Sequence, residues 1–174
     1  MFLIMRYFAK LLKALASEAS PGQIAGGIIL GMIIGLTPFF SLHNLLIVVL
    51  ILALKVNIGM ALFSFALFSG VAYLADPLFH SFGIWLLELE SMQQIWTNMY
   101  NNEWWALTKF YNTVVIGSFV TAAILCIPAF PLLKYGVVQY RKHIHAKVQK
   151  WKVVQAFKST KFYTIYQTVS RVRR

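Results

Sequence analysis

The chain has 174 residues, of which 59% are hydrophobic and only 12% are charged, with a formal net charge of +11. A mean hydropathy of +0.68 exceeds the balance of soluble domains and predicts an all-α integral membrane protein. Its single cysteine excludes an internal disulfide and a multi-cysteine metal site.

The first predicted element is a basic amphipathic helix over residues 1–19. Arg6, Lys10 and Lys13 recur every three or four residues on one helical stripe, opposite an apolar stripe. Such a helix lies in a membrane interface, where its cations favour the anionic headgroups of the cytoplasmic leaflet. The alternative is that this helix packs against the protein's own membrane domain.

A membrane domain is predicted over residues 20–133, and it begins with a re-entrant hairpin over 24–54. Ser20 and Pro21 form a helix start, and residues 37–44 interrupt the apolar run that follows. As one helix these 31 residues would be roughly 46 Å long, against a hydrocarbon core of roughly 30 Å, and each half alone is too short to cross. A hairpin that turns inside the membrane and returns at Lys55 resolves both problems.

Two full crossings are predicted after the hairpin, over residues 58–75 and 114–133. Between them, 77–112 is predicted to be an acidic, aromatic segment that rests on the non-cytoplasmic interface of the membrane. The predicted fold is therefore a re-entrant helical hairpin and two transmembrane helices, flanked by basic amphipathic helices.

Asp76 and His80 form a second polar break in the apolar sequence. The proline after Asp76 is expected to end the first crossing, and helix capping by Asp76 is favoured over a proton relay. That proline stands seven residues after Gly70, as Pro38 stands seven after Gly31. An internal repeat is one explanation of this likeness, and chance is the favoured one.

The tail, residues 134–174, contains eleven Lys and Arg and no acidic residue, and its apolar residues keep a helical rhythm. Because basic segments stay on the cytoplasmic side, a multi-pass topology with both termini in the cytoplasm is predicted. Anionic headgroups are the nearest polyanion, so headgroup binding is favoured over a nucleic-acid partner. The tail residues predicted to bind headgroups are Arg141, Lys142, Lys147, Lys150 and Lys152.

The hairpin is the candidate functional site, a groove for a lipid or for a membrane helix of a partner. Small residues at four-residue spacing flatten a helix face, and polar groups at membrane depth usually serve a site. Alternatively, the glycines pack against the returning helix and the polar residues only satisfy the backbone of a sharp turn. The candidates are Gly27, Gly31, Gly35, Thr37, Pro38, Ser41, His43 and Asn44.

No catalytic set, cofactor or metal site is predicted, so the chain is expected not to be an enzyme. Glu88 and Glu90 lie two residues apart, as do His143 and His145. Residues two apart on a helix point in different directions and do not converge on one ligand.

Several motifs resemble a bacterial domain-of-unknown-function family of small inner-membrane proteins. They are Pro21-Gly22-Gln23-Ile24-Ala25, the spaced Gly31 and Gly35 before Pro38, His43, Lys55-Val56-Asn57, Asp76-Pro77, Trp96-Thr97, Gly117-Ser118 and the basic tail. The resemblance implies an inner-membrane location and no established activity. It also implies a partner, an AsmA-like periplasmic protein of the kind thought to bridge the envelope and conduct lipid.

The expected function is thus an inner-membrane subunit of an envelope lipid-transport assembly. Two alternatives stay open. One is a small oligomeric transporter or channel with His43 and Asp76 on its pathway, and the other is a passive membrane anchor.

Overall fold

The structure, a computed structural model, describes residues 19–144. All but the last residue of the helix predicted over 1–19, and the tail beyond residue 144, lie outside the described residues. So do six predicted headgroup-binding residues: Arg6, Lys10, Lys13, Lys147, Lys150 and Lys152. By their contacts the described residues belong to two units, 19–134 and 135–144, and the candidate site belongs to the first.

The described chain is built of helices, which confirms the predicted all-α class. They are α1 (Pro21–Leu36), α2 (Leu42–Ala53), α3 (Ile58–Glu88), α4 (Gln93–Tyr100), α5 (Glu103–Ala106) and α6 (Thr113–Gln139), with a 3-10 turn at Glu90–Met92 and a π-helical turn at Tyr140–Ile144.

The predicted start of α1 is confirmed. The Ser20 hydroxyl accepts a hydrogen bond from the Gln23 N–H at 3.2 Å, and the Gln23 side chain accepts one from the Ser20 N–H at 2.7 Å. This reciprocal pair satisfies two N–H groups at the helix start, and Pro21 needs no donor there.

Helices α1 and α3 lie side by side and run parallel. The Asn57 N–H donates to the Gln23 carbonyl at 3.0 Å, and the Ser64 hydroxyl donates to the Ile28 carbonyl at 2.7 Å. Both partners advance along their chains in the same direction. Helix α2 therefore brings the chain back, so that α3 begins beside the start of α1.

Helix α6 runs antiparallel to α3. A Cβ on Gly83 would overlap the backbone of Thr113, and one on Gly117, one turn later in α6, would overlap that of Phe79, one turn earlier in α3. The His80 ring also lies 2.7 Å from the Thr113 hydroxyl. A buried cluster formed by Ile29, Met32, Leu36, Phe79 and Ala122 joins α1, α3 and α6 in one core.

Helix α3 continues without interruption through Pro77 for 31 residues. The prediction that Asp76 and Pro77 end this helix is wrong, and the helix predicted over 58–75 extends over Ile58–Glu88. A proline inside a helix removes one N–H donor, which leaves only the Tyr73 carbonyl without its usual partner. Packing of Phe79 and Gly83 against α6 holds the chain beyond Pro77 in register.

Helix α6 also extends past its predicted end at residue 133. It runs to Gln139 and includes Pro128 and Pro131. The segment predicted to start at residue 77 accordingly starts after Glu88, and it contains α4 and α5.

Two stretches of the described chain are long and apolar enough to cross a membrane, Ile58–Glu88 and Thr113–Lys142. In the most apolar 18-residue stretch of each, only 17% and 28% of the residues are buried within the protein. Most of their apolar side chains therefore face outward. Helix α2 is similar, with only Asn44 and Ile47 buried. Surfaces this apolar favour a membrane environment.

Candidate functional site

The glycine stripe of α1 is occupied by α3. A Cβ atom on Gly27 would overlap the Asn57 carbonyl oxygen, and one on Gly31 would overlap that of Ala61. At Gly35 it would lie 2.8 Å from the Phe65 carbonyl oxygen. The glycines therefore permit close packing of two parallel helices. The groove predicted along this face is filled, and its neighbour is α3 instead of the returning helix α2.

The break between α1 and α2 is held by the buried amide of Asn44. Its Nδ2 donates to the carbonyls of Pro38 at 3.0 Å and Phe39 at 3.3 Å. The Thr37 hydroxyl lies 2.8 Å from the Ile33 carbonyl and 2.9 Å from Asn44 Oδ1, and it shares its one hydrogen between these acceptors. Asn44 thus replaces the N–H donors that the turn has lost.

Ser41 stands at the N-cap of α2 but makes no capping bond with its side chain. Its hydroxyl instead donates to the Pro38 carbonyl at 2.6 Å. Ser41 and Asn44 therefore satisfy the backbone of the turn, the second of the two roles that the sequence left open.

His43 differs from its neighbours in the break. Its ring packs against Phe119 of α6, with 4.9 Å between ring centroids. Its Nε2 atom is buried and has no hydrogen-bond partner in the part of the chain that the structure describes. The turn therefore does not use this nitrogen.

Asp76 is an exposed residue inside a continuous helix, so it does not cap one. Its carboxylate forms no hydrogen bond or ion pair within residues 19–144, whereas His80, one turn later, is bonded to Thr113. In a chain this apolar, a carboxylate that no described residue binds is a candidate ligand-binding group.

Asp76 and the hairpin tip line a single cleft of about 330 Å³, here called the tip cleft. It is bounded by residues 34–39 and by Val114 of α6. One face of α3 forms the remaining wall, with spacings of three, four and seven residues: Phe65, Ser69, Ala72, Tyr73 and Asp76. Asp76 supplies the only charge that the described residues bring to this mostly apolar lining.

The structure thus joins members of the two predicted polar breaks. Gly35, Thr37 and Pro38 from the first share the tip cleft with Asp76 from the second. The other described candidates do not line it: Gly27, Gly31, Ser41, His43, Asn44 and His80.

The segment after α3 folds back over the end of that helix. Trp96 donates from its indole N–H to the Leu86 carbonyl at 3.2 Å and stacks on Phe110 at 5.9 Å. Trp104 and Trp105 stay exposed, by 79% and 53%. Exposed tryptophans at a helix end are typical of a membrane interface.

Two of the predicted headgroup-binding residues are described. Arg141 and Lys142 lie in the π-helical turn, where Lys142 is exposed and Arg141 is half-buried.

A protein-family model described as "Uncharacterized protein conserved in bacteria (DUF2062)" matches residues 5–146. The chain belongs to the DUF2062 family. An "Uncharacterized protein" of Treponema pallidum (strain Nichols) is 28% identical over 145 residues, which cover 83% of this chain and 90% of that protein. No solved structure matches the chain. Membership in DUF2062 confirms the predicted resemblance to a bacterial domain-of-unknown-function family.

Sequence reasoning missed two groups of residues. Ser69, Ala72 and Tyr73 line the tip cleft, and their spacing from Asp76 along one helix face is the signal that finds them. Gly83 and Gly117 form the crossing of α3 and α6, where a Cβ on either would overlap a backbone carbonyl of the other helix. Each is a single glycine in an apolar run, and such a glycine does not indicate which helix packs against it.

Proposed function

We propose that the protein is a non-enzymatic, multi-pass subunit of the bacterial inner membrane that binds a phospholipid in the tip cleft. It acts in an envelope lipid-transport assembly, and its partner is an AsmA-like periplasmic protein, as the family resemblance implies. The observation that carries the proposal is the tip cleft, a mostly apolar space formed where the hairpin meets α3, with one carboxylate that no described residue binds.

The depth of the tip cleft supports this role. Helices α1 and α3 start side by side near Lys55, whose charge favours the cytoplasmic face. From there α1 rises roughly 24 Å over its 16 residues, and α3 reaches Asp76 after roughly 27 Å. With a hydrocarbon core of roughly 30 Å, the cleft falls in the outer leaflet near the headgroups. A lipid leaving the inner membrane for a periplasmic carrier departs from that level.

In this topology α1 and α2 form the re-entrant hairpin, since neither is long enough to cross. Helices α3 and α6 cross, and the aromatic segment between them rests on the periplasmic interface. The tip of the hairpin is non-helical backbone at membrane depth, which is tolerated where protein satisfies its polar groups. Asn44 and Ser41 do so here.

The proposal is tested by filling the cleft. Ala72→Phe places a large ring among the lining residues, and Ala66→Phe makes the same change at an exposed position of α3 outside the lining. After gentle purification, mass spectrometry measures the lipids and proteins that co-purify with each variant. We expect wild type and Ala66→Phe to retain phospholipid and an AsmA-like protein, and Ala72→Phe to lose the lipid.

Equal lipid retention by both variants would contradict binding in the tip cleft. Co-purification of lipid without any large periplasmic protein would remove the assembly from the proposal. Solute flux in liposomes that contain only the purified protein would instead favour a self-contained transporter.

A further inference from the structure

We propose that the tip cleft selects a phospholipid whose headgroup carries a primary ammonium, and that Asp76 binds this ammonium. The inference rests on the lipid-binding role proposed above and names its substrate class. It follows from the hydrogen-bonding capacity and charge of the lining residues.

Two hydroxyls that line the cleft, those of Ser69 and Thr37, already donate their hydrogens to acceptors within the protein. Ser69 donates to the Phe65 carbonyl at 2.8 Å. Thr37 divides its hydrogen between the Ile33 carbonyl and Asn44 Oδ1. Both oxygens keep lone pairs and therefore face a ligand as acceptors.

Two further acceptors come from the stretch around Pro77. Because proline has no N–H, the carbonyl of Tyr73 loses the donor that residue 77 supplies in a regular helix. Asp76 adds a carboxylate that no described residue binds. Tyr73 and Asp76 are three residues apart and so share a helix face. One stretch of α3 thus offers a charged and a neutral acceptor together.

An ammonium group matches this set because it has three donors, a positive charge and no acceptor. A phosphate or glycerol-phosphate headgroup with a net negative charge does not match, since no Lys or Arg of residues 19–144 lines the cleft. The phenol of Tyr73 is the lining hydroxyl without a bonded acceptor among the described residues, and it is 81% exposed. It is placed to donate to the phosphodiester that adjoins the ammonium in a zwitterionic lipid.

The test measures lipid retention in nanodiscs of equal parts phosphatidylethanolamine, phosphatidylcholine and phosphatidylglycerol, followed by native mass spectrometry of the full-length protein. Asp76→Asn keeps the shape of the side chain and removes its charge. Glu88→Gln is the matched control, because Glu88 is an exposed carboxylate at the end of α3 outside the cleft. Helical content by circular dichroism confirms that both variants fold.

Wild type and Glu88→Gln should retain the ethanolamine lipid over the glycerol lipid by roughly tenfold, the factor expected for a charge-assisted hydrogen bond. Asp76→Asn should abolish that preference. The choline lipid keeps the positive charge but has no N–H donor, so its retention should fall between the other two.

Retention of lipid without a headgroup preference, or with a preference that Asp76→Asn leaves intact, would overturn this inference and leave lipid binding standing. Retention of no lipid by wild type would instead overturn the proposed function itself. A preference for the glycerol lipid would show that the basic ends of the chain, and not Asp76, select the headgroup.

Discussion

Two segments of this protein share a sequence pattern and differ in structure. Gly31 precedes Pro38 by seven residues and Gly70 precedes Pro77 by seven, with a polar residue before each proline. In the first segment the helix ends and the chain reverses. In the second the helix continues for eleven more residues, to Glu88. The pattern alone therefore does not decide whether a proline breaks a helix.

What decides it is whether nearby side chains replace the lost donors and, after Pro77, whether the packing of Phe79 and Gly83 against α6 holds the helix. After Pro38, the side chains of Ser41 and Asn44 donate to the Pro38 and Phe39 carbonyls and so replace the lost helical donors. After Pro77, Ser81 bonds only the carbonyl of Pro77 itself, within the helix, at 3.0 Å. In an apolar environment a turn without replacement donors is costly, so the helix with one missing bond is the better solution.

The largest difference between the segments is expected at their glycines. Gly31→Ala would place a Cβ onto the Ala61 carbonyl oxygen, and the two helix backbones must then separate. We expect a loss of about 3 kcal/mol in the free energy of unfolding. Gly70→Ala meets nothing within 4 Å and should be neutral or stabilise by up to about 1 kcal/mol. Denaturant titration in mixed micelles measures both.

Similar losses at Gly31 and Gly70 would mean that Gly70 also packs against a neighbour that does not belong to residues 19–144 of the same chain. A homo-oligomer, one of the partners left open by the sequence, would then be detected as a change in mass on Gly70→Ala.

A smaller difference is expected at the side chains that follow the prolines. Asn44→Leu keeps the volume of a buried residue and removes both donors to the turn, so about 2 kcal/mol of stability should be lost. Ser81→Ala removes a hydroxyl that is exposed on α3, and the change should stay below about 0.5 kcal/mol. Equal effects in the same unfolding assay would contradict the explanation given for the two prolines.

Sequence reasoning found the elements that depend on local signals. The capping box at Ser20, the interruption at residues 37–44 and the two long apolar helices are all read from neighbours in the chain. It failed at Pro77, because continuity there depends on Gly83 and Phe79 meeting α6, a contact between distant residues. The tip cleft was missed for the same reason, since Thr37 and Asp76 line one cleft only after α1 and α3 pack in parallel.

The last comparison concerns the membrane depth of two positions, the hairpin tip and the turn after α4. The substitutions used for it should leave the stability of the protein nearly unchanged. Phe40 at the hairpin tip is 92% exposed, so no part of the described protein covers it, whereas Asn101 lies in the exposed turn after α4. We expect a charged, membrane-impermeant maleimide added to the periplasm to label Asn101→Cys and not Phe40→Cys, with Cys126 replaced by Ala in both. A permeant maleimide should react with position 40 as slowly as the charged one does, because a thiol in hydrocarbon is seldom ionised.

Equal labelling of both positions by the charged reagent would mean that α1 and α2 cross the membrane completely. The tip cleft would then open to water, and the depth argument for lipid binding would fail. Protection at position 40 together with labelling at position 101 requires a hairpin tip that lipid covers although the protein does not. A re-entrant turn meets this requirement, and a periplasmic loop does not.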